Sequence, residues 1–314
     1  MNIVSKRRWF YLLSAIILVP SIISLIIPPS LFLGIEFTGG STISVKFDEP
    51  VNESNVRNIL NRLNHSEAII QPSTDNAFFI RLSRLREGSS EQGIRSEREV
   101  IQEALEVIAP VSRLDVASVS GVIASDTVRN AFIALVVASI AILFYITWAF
   151  RQVPNPFRYG VAAIFALVHD VLVVLGIFSI LGKLLHLEVN AMFITGLLTI
   201  IGYSVNDTIV VFDRIRENVS LLPAERLERN VNTSLLQTLG RSMNTSLTLL
   251  VTVLALLLLG GDSIRNFLLV LLIGLISGTY SSICIASQLL VSWEVGEIGR
   301  TMRKMKLLRT KTES

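Results

Sequence analysis

Six stretches of the chain are apolar enough, and long enough, to cross a bilayer: about 9–28, 128–150, 159–182, 189–212, 243–260 and 264–292. A helical span needs roughly 20 mostly apolar residues. A polar segment of about 100 residues, Leu31 to Thr127, separates the first two stretches. The later stretches are joined by short connections, apart from a charged loop over 213–242. The first stretch follows Lys6, Arg7 and Arg8 and runs from Trp9 to Ile27. It is longer than the apolar core of a signal peptide, and no small-x-small cleavage site precedes Pro28-Pro29, so it reads as an uncleaved first span.

Within the polar segment the periodicity changes. Ser41–Phe47 alternates as a strand does, and Val51–Asn64 places apolar residues at 56, 59, 60 and 63, a helical spacing. Glu67–Gln71 and Ala77–Leu82 read as strands joined by the Pro72–Asn76 turn, and Arg84–Ser96 as a mobile loop. Ser96 with Glu99 predicts a capping box opening a helix to Ile108, and Arg113–Val119 predicts a last strand. The order β-α-β-β-α-β is the ferredoxin-like pattern. The fold class that follows is an α-helical membrane protein with six transmembrane helices and one extracytoplasmic ferredoxin-like α+β domain. Its parts are 1–30, the N-terminus and first span; 31–127, the outer domain; 128–292, the remaining spans; and 293–314, a basic tail.

Composition agrees. The chain is 51% hydrophobic and 17% charged, with mean hydropathy +0.59, whereas soluble domains carry roughly 25% charged residues. The placement of charge says more than the net value of +3. With the N-terminus cytoplasmic, sixteen Lys and Arg fall on the cytoplasmic side, and the short outer loops hold only Lys183 and Arg265. Both ends are therefore expected inside and 31–127 outside. The single cysteine, Cys284, allows no disulfide within the chain, and His65, His169 and His186 are too scattered for a zinc site. No metal, cofactor or nucleic acid is expected. In the 213–242 loop, Pro223 suits a first helical turn, with Leu227, Val231, Leu235 and Leu239 on one face. This reads as a helix lying on the membrane surface, the alternative being a docking site for a partner.

Ionisable groups inside a span are costly and are functional candidates by default. Asp170 lies ~18 Å past Arg158 and is preceded by His169, and Asp207 lies ~10 Å from Arg214. Asp213, beside Arg214, reads as a solvated boundary charge. Gly196, Thr199, Tyr203 and Asn206 form a stripe leading to Asp207, and Arg241, Thr245, Thr248 and Thr252 form a second in the fifth span. Facing one another, the stripes would enclose polar groups away from lipid and pair Asp207 with Arg241. A carboxylate beside a fixed cation releases its proton readily, and with the cation moved off it holds one, which is the basis of a proton relay. The competing reading is a structural ion pair, and for His169–Asp170 a buried hydrogen-bonded pair. Gly274 and Gly278 form a G-x-x-x-G suited to packing within the chain or against a partner.

Four signatures go further. Gly34-Ile35-Glu36-Phe37-Thr38-Gly39-Gly40-Ser41 resembles a motif of the SecD/SecF family, with Glu36 where that family usually has Asp. Gly202–Asn218, with Asn206 and Asp207 at its centre, resembles the fourth-span signature of the SecF side almost letter for letter. Leu167–Asp170 and Gly278–Ser287 resemble third- and sixth-span motifs. Structural roles are read for Gly34, Glu36, Gly39 and Gly40, because two glycines before a strand permit a sharp bend. The resemblance covers the whole chain, and an outer domain of this size fits SecF, since SecD carries a larger one. It implies an accessory subunit of the Sec translocase in a bacterial-type inner membrane. The subunit pairs with SecD and associates with the SecY channel complex and a YajC-type auxiliary subunit. It uses the proton motive force, as resistance-nodulation-division transporters do, to pull unfolded polypeptide across the membrane. The proton residues it implies are Asp207 and Arg241, with His169, Asp170, Asn206, Tyr203 and Thr245 as secondary candidates. Half of a proton-coupled solute exporter is the alternative. An intramembrane aspartyl protease is disfavoured because its Y-D and G-x-G-D motifs are missing, and no phosphate loop, nucleophile elbow or H-E-x-x-H is present.

Overall fold

The computed structural model describes residues 2–72, 76–86, 95–261 and 264–296. The middle of the Pro72–Asn76 turn, most of the 84–96 loop and the basic tail beyond Gly296 lie outside the described residues. Two units are present, Leu33–Phe132 and a second made of Met1–Phe32 with Ile133–Ser314.

The smaller unit opens with one helical turn, α2 (Ile35–Thr38), after α1 (Arg7–Ile26) of the other unit. Then follow β1 (Gly40–Phe47), α3 (Glu53–Arg62), β2 (Ile69–Pro72), β3 (Ala77–Leu82), α4 (Glu97–Glu106) and β4 (Val111–Val119). The sheet order is β2-β3-β1-β4 with all neighbours antiparallel, the ferredoxin-like arrangement. Alternation along β1 turns Ile43, Val45 and Phe47 inward. They meet Ile80 and Phe78 across β3, Val56 and Leu60 of α3, and Ile101 and Leu105 of α4. Each such side chain contributes about 1.5–3 kcal/mol by leaving water. Asn52 caps α3 by accepting the Ser54 N–H at 3.1 Å. The capping box expected at α4 does not form, because Ser96 makes no side-chain cap bond. The Glu97 carboxylate instead accepts the Arg86 N–H at 2.7 Å and lies 3.1 Å from His65 Nε2.

The larger unit, with the helix that enters it from the smaller one, supplies six helices long and apolar enough to cross a membrane. They are α1 (Arg7–Ile26), extended by a 3-10 turn from Val4, α5 (Gly121–Ala149), α6 (Pro156–Leu185), α7 (Ala191–Leu221), α8 (Leu227–Leu259), and α9 (Arg265–Ser281) continued by α10 (Ser287–Glu294). The helices α6, α7 and α9 are half or more buried and form the centre, whereas α5 is almost wholly exposed. Gly274 and Gly278 resolve the G-x-x-x-G. Both lie against α7, facing Ile200 and Ser204, so the motif packs helices within the chain.

The 213–242 segment differs from expectation. It is not a loop with a helix on the membrane surface: α7 runs on to Leu221 and α8 starts at Leu227, so both spans continue as one hairpin. Pro223 sits in the turn rather than in a helix. The predicted stripe is helical, with Val231 and Leu235 fully buried, but its face is covered by α7. Asn218 Nδ2 donates to Ser234 Oγ at 2.7 Å, and that hydroxyl donates to the Asn230 carbonyl of its own helix at 2.7 Å and reaches the Arg214 carbonyl of α7 at 3.2 Å. A π turn, Ser282–Ala286, interrupts the sixth span. The carbonyls it frees are taken up five residues on, Ser282 O by Ser287 Oγ (2.9 Å) and Ile283 O by Gln288 Nε2 (3.2 Å).

Candidate functional site

The central helix α7 is started by Asn190, which accepts the Phe193 N–H at 3.0 Å. Halfway along it, Asp207 is 7% exposed. Its Oδ1 accepts Ser242 Oγ of α8 at 2.7 Å. Its Oδ2 is buried and meets no hydrogen-bond donor among the described residues. Thr208 and Ser282 hydroxyls meet at 2.8 Å, tying α7 to the π turn. One turn back, Tyr203 Oη lies 2.7 Å from Ser246 Oγ, which lies 2.6 Å from Thr279 Oγ1, so α7, α8 and α9 share a chain of hydroxyls. Small serines at these contacts allow the helices to approach closely.

The expected pairing of Asp207 with Arg241 is not formed. Arg241 is exposed, as are Thr245, Thr248 and Thr252. The three threonine hydroxyls donate back to carbonyls of their own helix, Thr245 Oγ1 to Arg241 O at 2.9 Å. The reason is helical phase: α8 turns Ser242 and Ser246 toward α7, and Arg241 lies about 100° round from Ser242. The α7 stripe also splits. Gly196 is buried under Val270 of α9 and Tyr203 is half-buried, while Thr199 and Asn206 are exposed. Asp213 is exposed and paired with Arg216 at 2.6 Å.

Asp170 occupies the middle of α6 and is 2% exposed. Oδ2 accepts Ser204 Oγ of α7 and Ser281 Oγ of α9, both at 2.6 Å. Oδ1 accepts Ser277 Oγ at 2.6 Å and faces His169 Nδ1 at 3.1 Å. His169 Nε2 lies 3.1 Å from Ser14 Oγ of α1. Ser204 and Ser281 fall within the Gly202–Asn218 and Gly278–Ser287 signatures, but their role as partners of Asp170, with Ser277 and Ser14, was missed by sequence reasoning, the one general signal being a density of hydroxyls in otherwise apolar spans. Among the described residues no group of three His, Cys, Asp or Glu side chains converges. The available chemistry is that of carboxyls, hydroxyls and one imidazole.

In the smaller unit, Gly34 precedes α2, Glu36 lies in its turn, and Thr38 Oγ1 donates to Gly34 O at 3.1 Å. Gly39 (φ +71°, ψ 171°) and Gly40 (φ +117°) hold backbone conformations that side-chain-bearing residues rarely adopt. A Cβ on Gly39 would meet the Gly121 backbone at 3.2 Å, and one on Gly40 would meet the Leu82 carbonyl oxygen at 2.6 Å.

Comparison with known proteins places these features in context. Residues 100–296 match the profile of the family described as protein export membrane protein SecD/SecF, C-terminal, and residues 33–51 match the SecD/SecF GG motif. The protein translocase subunit SecF of Thermobaculum terrenum is 45% identical over 314 residues, covering 96% of this chain and 97% of the relative. That of Anaerolinea thermophila is 40% identical over 300 residues, 95% of each. The crystal structure of SecDF from Thermus thermophilus, described as a translocon-associated membrane protein, superimposes with a TM-score of 0.81 at 34% identity. It is matched over 94% of this chain, which spans 38% of the SecDF chain.

Proposed function

The chain belongs to the SecD/SecF family of protein export membrane proteins, and from that premise we propose that it is the SecF-type subunit of a protein translocase, completed by a SecD-type partner and driven by protons through Asp207. The observation that carries this reading is the polar surface of two spans. Thr195, Thr199 and Asn206 on α7, with Arg241, Thr245, Thr248 and Thr252 on α8, are exposed on helices otherwise built for lipid. The threonine hydroxyls are satisfied within their own helices, but the Asn206 amide and the Arg241 guanidinium are costly against hydrocarbon, so a second membrane half covers this surface. The chain's 38% share of the SecDF chain leaves room for that half. On this reading Asn206 and Arg241 face the partner, and Asp207 lies just behind them, with one carboxyl oxygen unclaimed among the described residues. Proton binding there alters the contact with Ser242 and hence the hold of α7 on α8, with Tyr203 and Thr245 along the route.

The Lys and Arg distribution supports cytoplasmic termini and an outer domain over 31–127, and the bacterial SecF relatives support residence in a bacterial-type inner membrane. The SecY channel complex, a YajC-type auxiliary subunit and an unfolded polypeptide in transit belong to the same proposal. The test is export of a secreted reporter in cells lacking the native protein and supplied with SecD. Asp207→Asn is expected to reach wild-type membrane levels and co-purify with SecD while export fails. Normal export by that variant would overturn the role of Asp207.

A further inference from the structure

The two intramembrane carboxylates differ in their hydrogen-bond accounting. Asp170 has a donor at each of four lone-pair positions: Ser204, Ser281 and Ser277 hydroxyls and the His169 ring. Asp207 has one of good geometry, from Ser242, with the Ser282 hydroxyl a weaker neighbour and Oδ2 without a hydrogen bond among the described residues.

The hydrogens around His169 can be counted along the chain that leaves it. Tyr280 Oη uses its one hydrogen on the Phe10 carbonyl at 2.7 Å, so it can only accept from Ser14 Oγ at 3.2 Å. Ser14 has then used its own hydrogen and can only accept from His169 Nε2 at 3.1 Å. At 3.1 Å one hydrogen must also lie between Asp170 Oδ1 and His169 Nδ1. Assigned from this network, Nε2 carries hydrogen and one more is shared by Nδ1 and Oδ1, so the two side chains hold that proton as a unit. A pair with every donor and acceptor used is stable away from water, and loss of either member leaves a costly remnant.

We infer that His169–Asp170 is a closed positioning site, which keeps its proton and sets the geometry of Asp207 through Ser204 and the Ser281–Ser282 pair. Ser204 lies one turn before Asp207 on α7. Ser281, held by Asp170, is followed by Ser282, which holds Thr208, the residue after Asp207. The clamp therefore grips α7 on both sides of Asp207. The inference rests on the proton reading of Asp207 proposed above.

The test is proton flux against pH in proteoliposomes holding the full chain with its SecD-type partner. Asp170→Asn sets an amide donor among hydroxyl donors. It is expected to retain flux with the midpoint of the pH profile displaced by about one unit, a tenfold change in apparent proton affinity. Ser281→Ala, which keeps the carboxylate and removes one link, is expected to displace it in the same direction, and it decides the matter if Asp170→Asn does not assemble. Loss of flux at every pH would make Asp170 a proton carrier and overturn the inference, and so would an unmoved profile. Undiminished flux in Asp207→Asn would instead overturn the premise about Asp207.

Discussion

Replacing Gly40 by Ala should loosen the smaller unit at one identifiable seam. At φ +117° an L side chain is strained, which costs about 1–3 kcal/mol. The new Cβ would also stand 2.6 Å from the Leu82 carbonyl oxygen, where real contacts exceed 3.0 Å. That oxygen is backbone on β3, paired with β1 through Ser41↔Leu82, so relief means shifting one strand against the other. Such overpacking costs a further 1–3 kcal/mol or so. Against a domain stability of roughly 5–15 kcal/mol, a loss near 3 kcal/mol should leave the unit folded but opening about a hundredfold more often. Amide hydrogen exchange on the purified full chain reads this directly as faster exchange in β1 and β3, with the amides of α6 and α9 unchanged. Gly121→Ala is the control: it starts α5, a Cβ there meets nothing within 4 Å, and it should be neutral or stabilising by up to about 1 kcal/mol. Equal exchange in the two variants would refute the argument from close approach and backbone conformation.

Two further outcomes are expected. Gly274→Val drives a branched side chain into Ile200 at the α7–α9 crossing, and at a cost of about 1–3 kcal/mol it should lower the temperature at which buried Cys284 becomes open to maleimide; an unchanged labelling midpoint would contradict that packing. Glu67, outside the spans, is held below the ordinary glutamate range first by its own backbone N–H and next by the Ser83 hydroxyl at 3.1 Å. A carboxylate lowered in the folded state contributes stability at higher pH that is lost as pH falls through the folded value, so Ser83→Ala should move its NMR titration part of the way back up toward the ordinary glutamate range; a fixed midpoint would refute the Ser83 contribution.

The apolar runs made the six spans legible, and the alternation in Ser41–Phe47 and Ala77–Leu82 made the sheet legible, because both patterns record burial on a known period. Asp207 and Asp170 were legible because charge within an apolar run is rare. Their partners were not. A polar stripe establishes that a helix has a polar side, yet Arg241–Thr252 and Ser242–Ser246 interleave on α8, and only the packed structure tells which of the two meets α7. Serine is cheap to place in a span, since its hydroxyl can bond its own helix, so Ser204, Ser242 and Ser281 carry little signal before their neighbours are known. The hairpin of α7 and α8 was missed because charged residues after Asp213 resemble a loop, although helix continues wherever side chains from two helices cover each other.

That hairpin also has a mechanical meaning. At 1.5 Å per residue α7 is ~46 Å long and α8 ~50 Å, against a hydrocarbon core of ~30 Å. Asp207 sits near the midpoint of α7, about 21 Å from its end at Leu221. A stiff rod pivoting there works as a lever: a tilt of roughly 10° would carry the Leu222–Arg226 tip through ~4 Å. On the proposed role of Asp207, a sub-ångström adjustment around its carboxyl group would be geared up to a displacement large enough to make or break a contact at the far end of the hairpin.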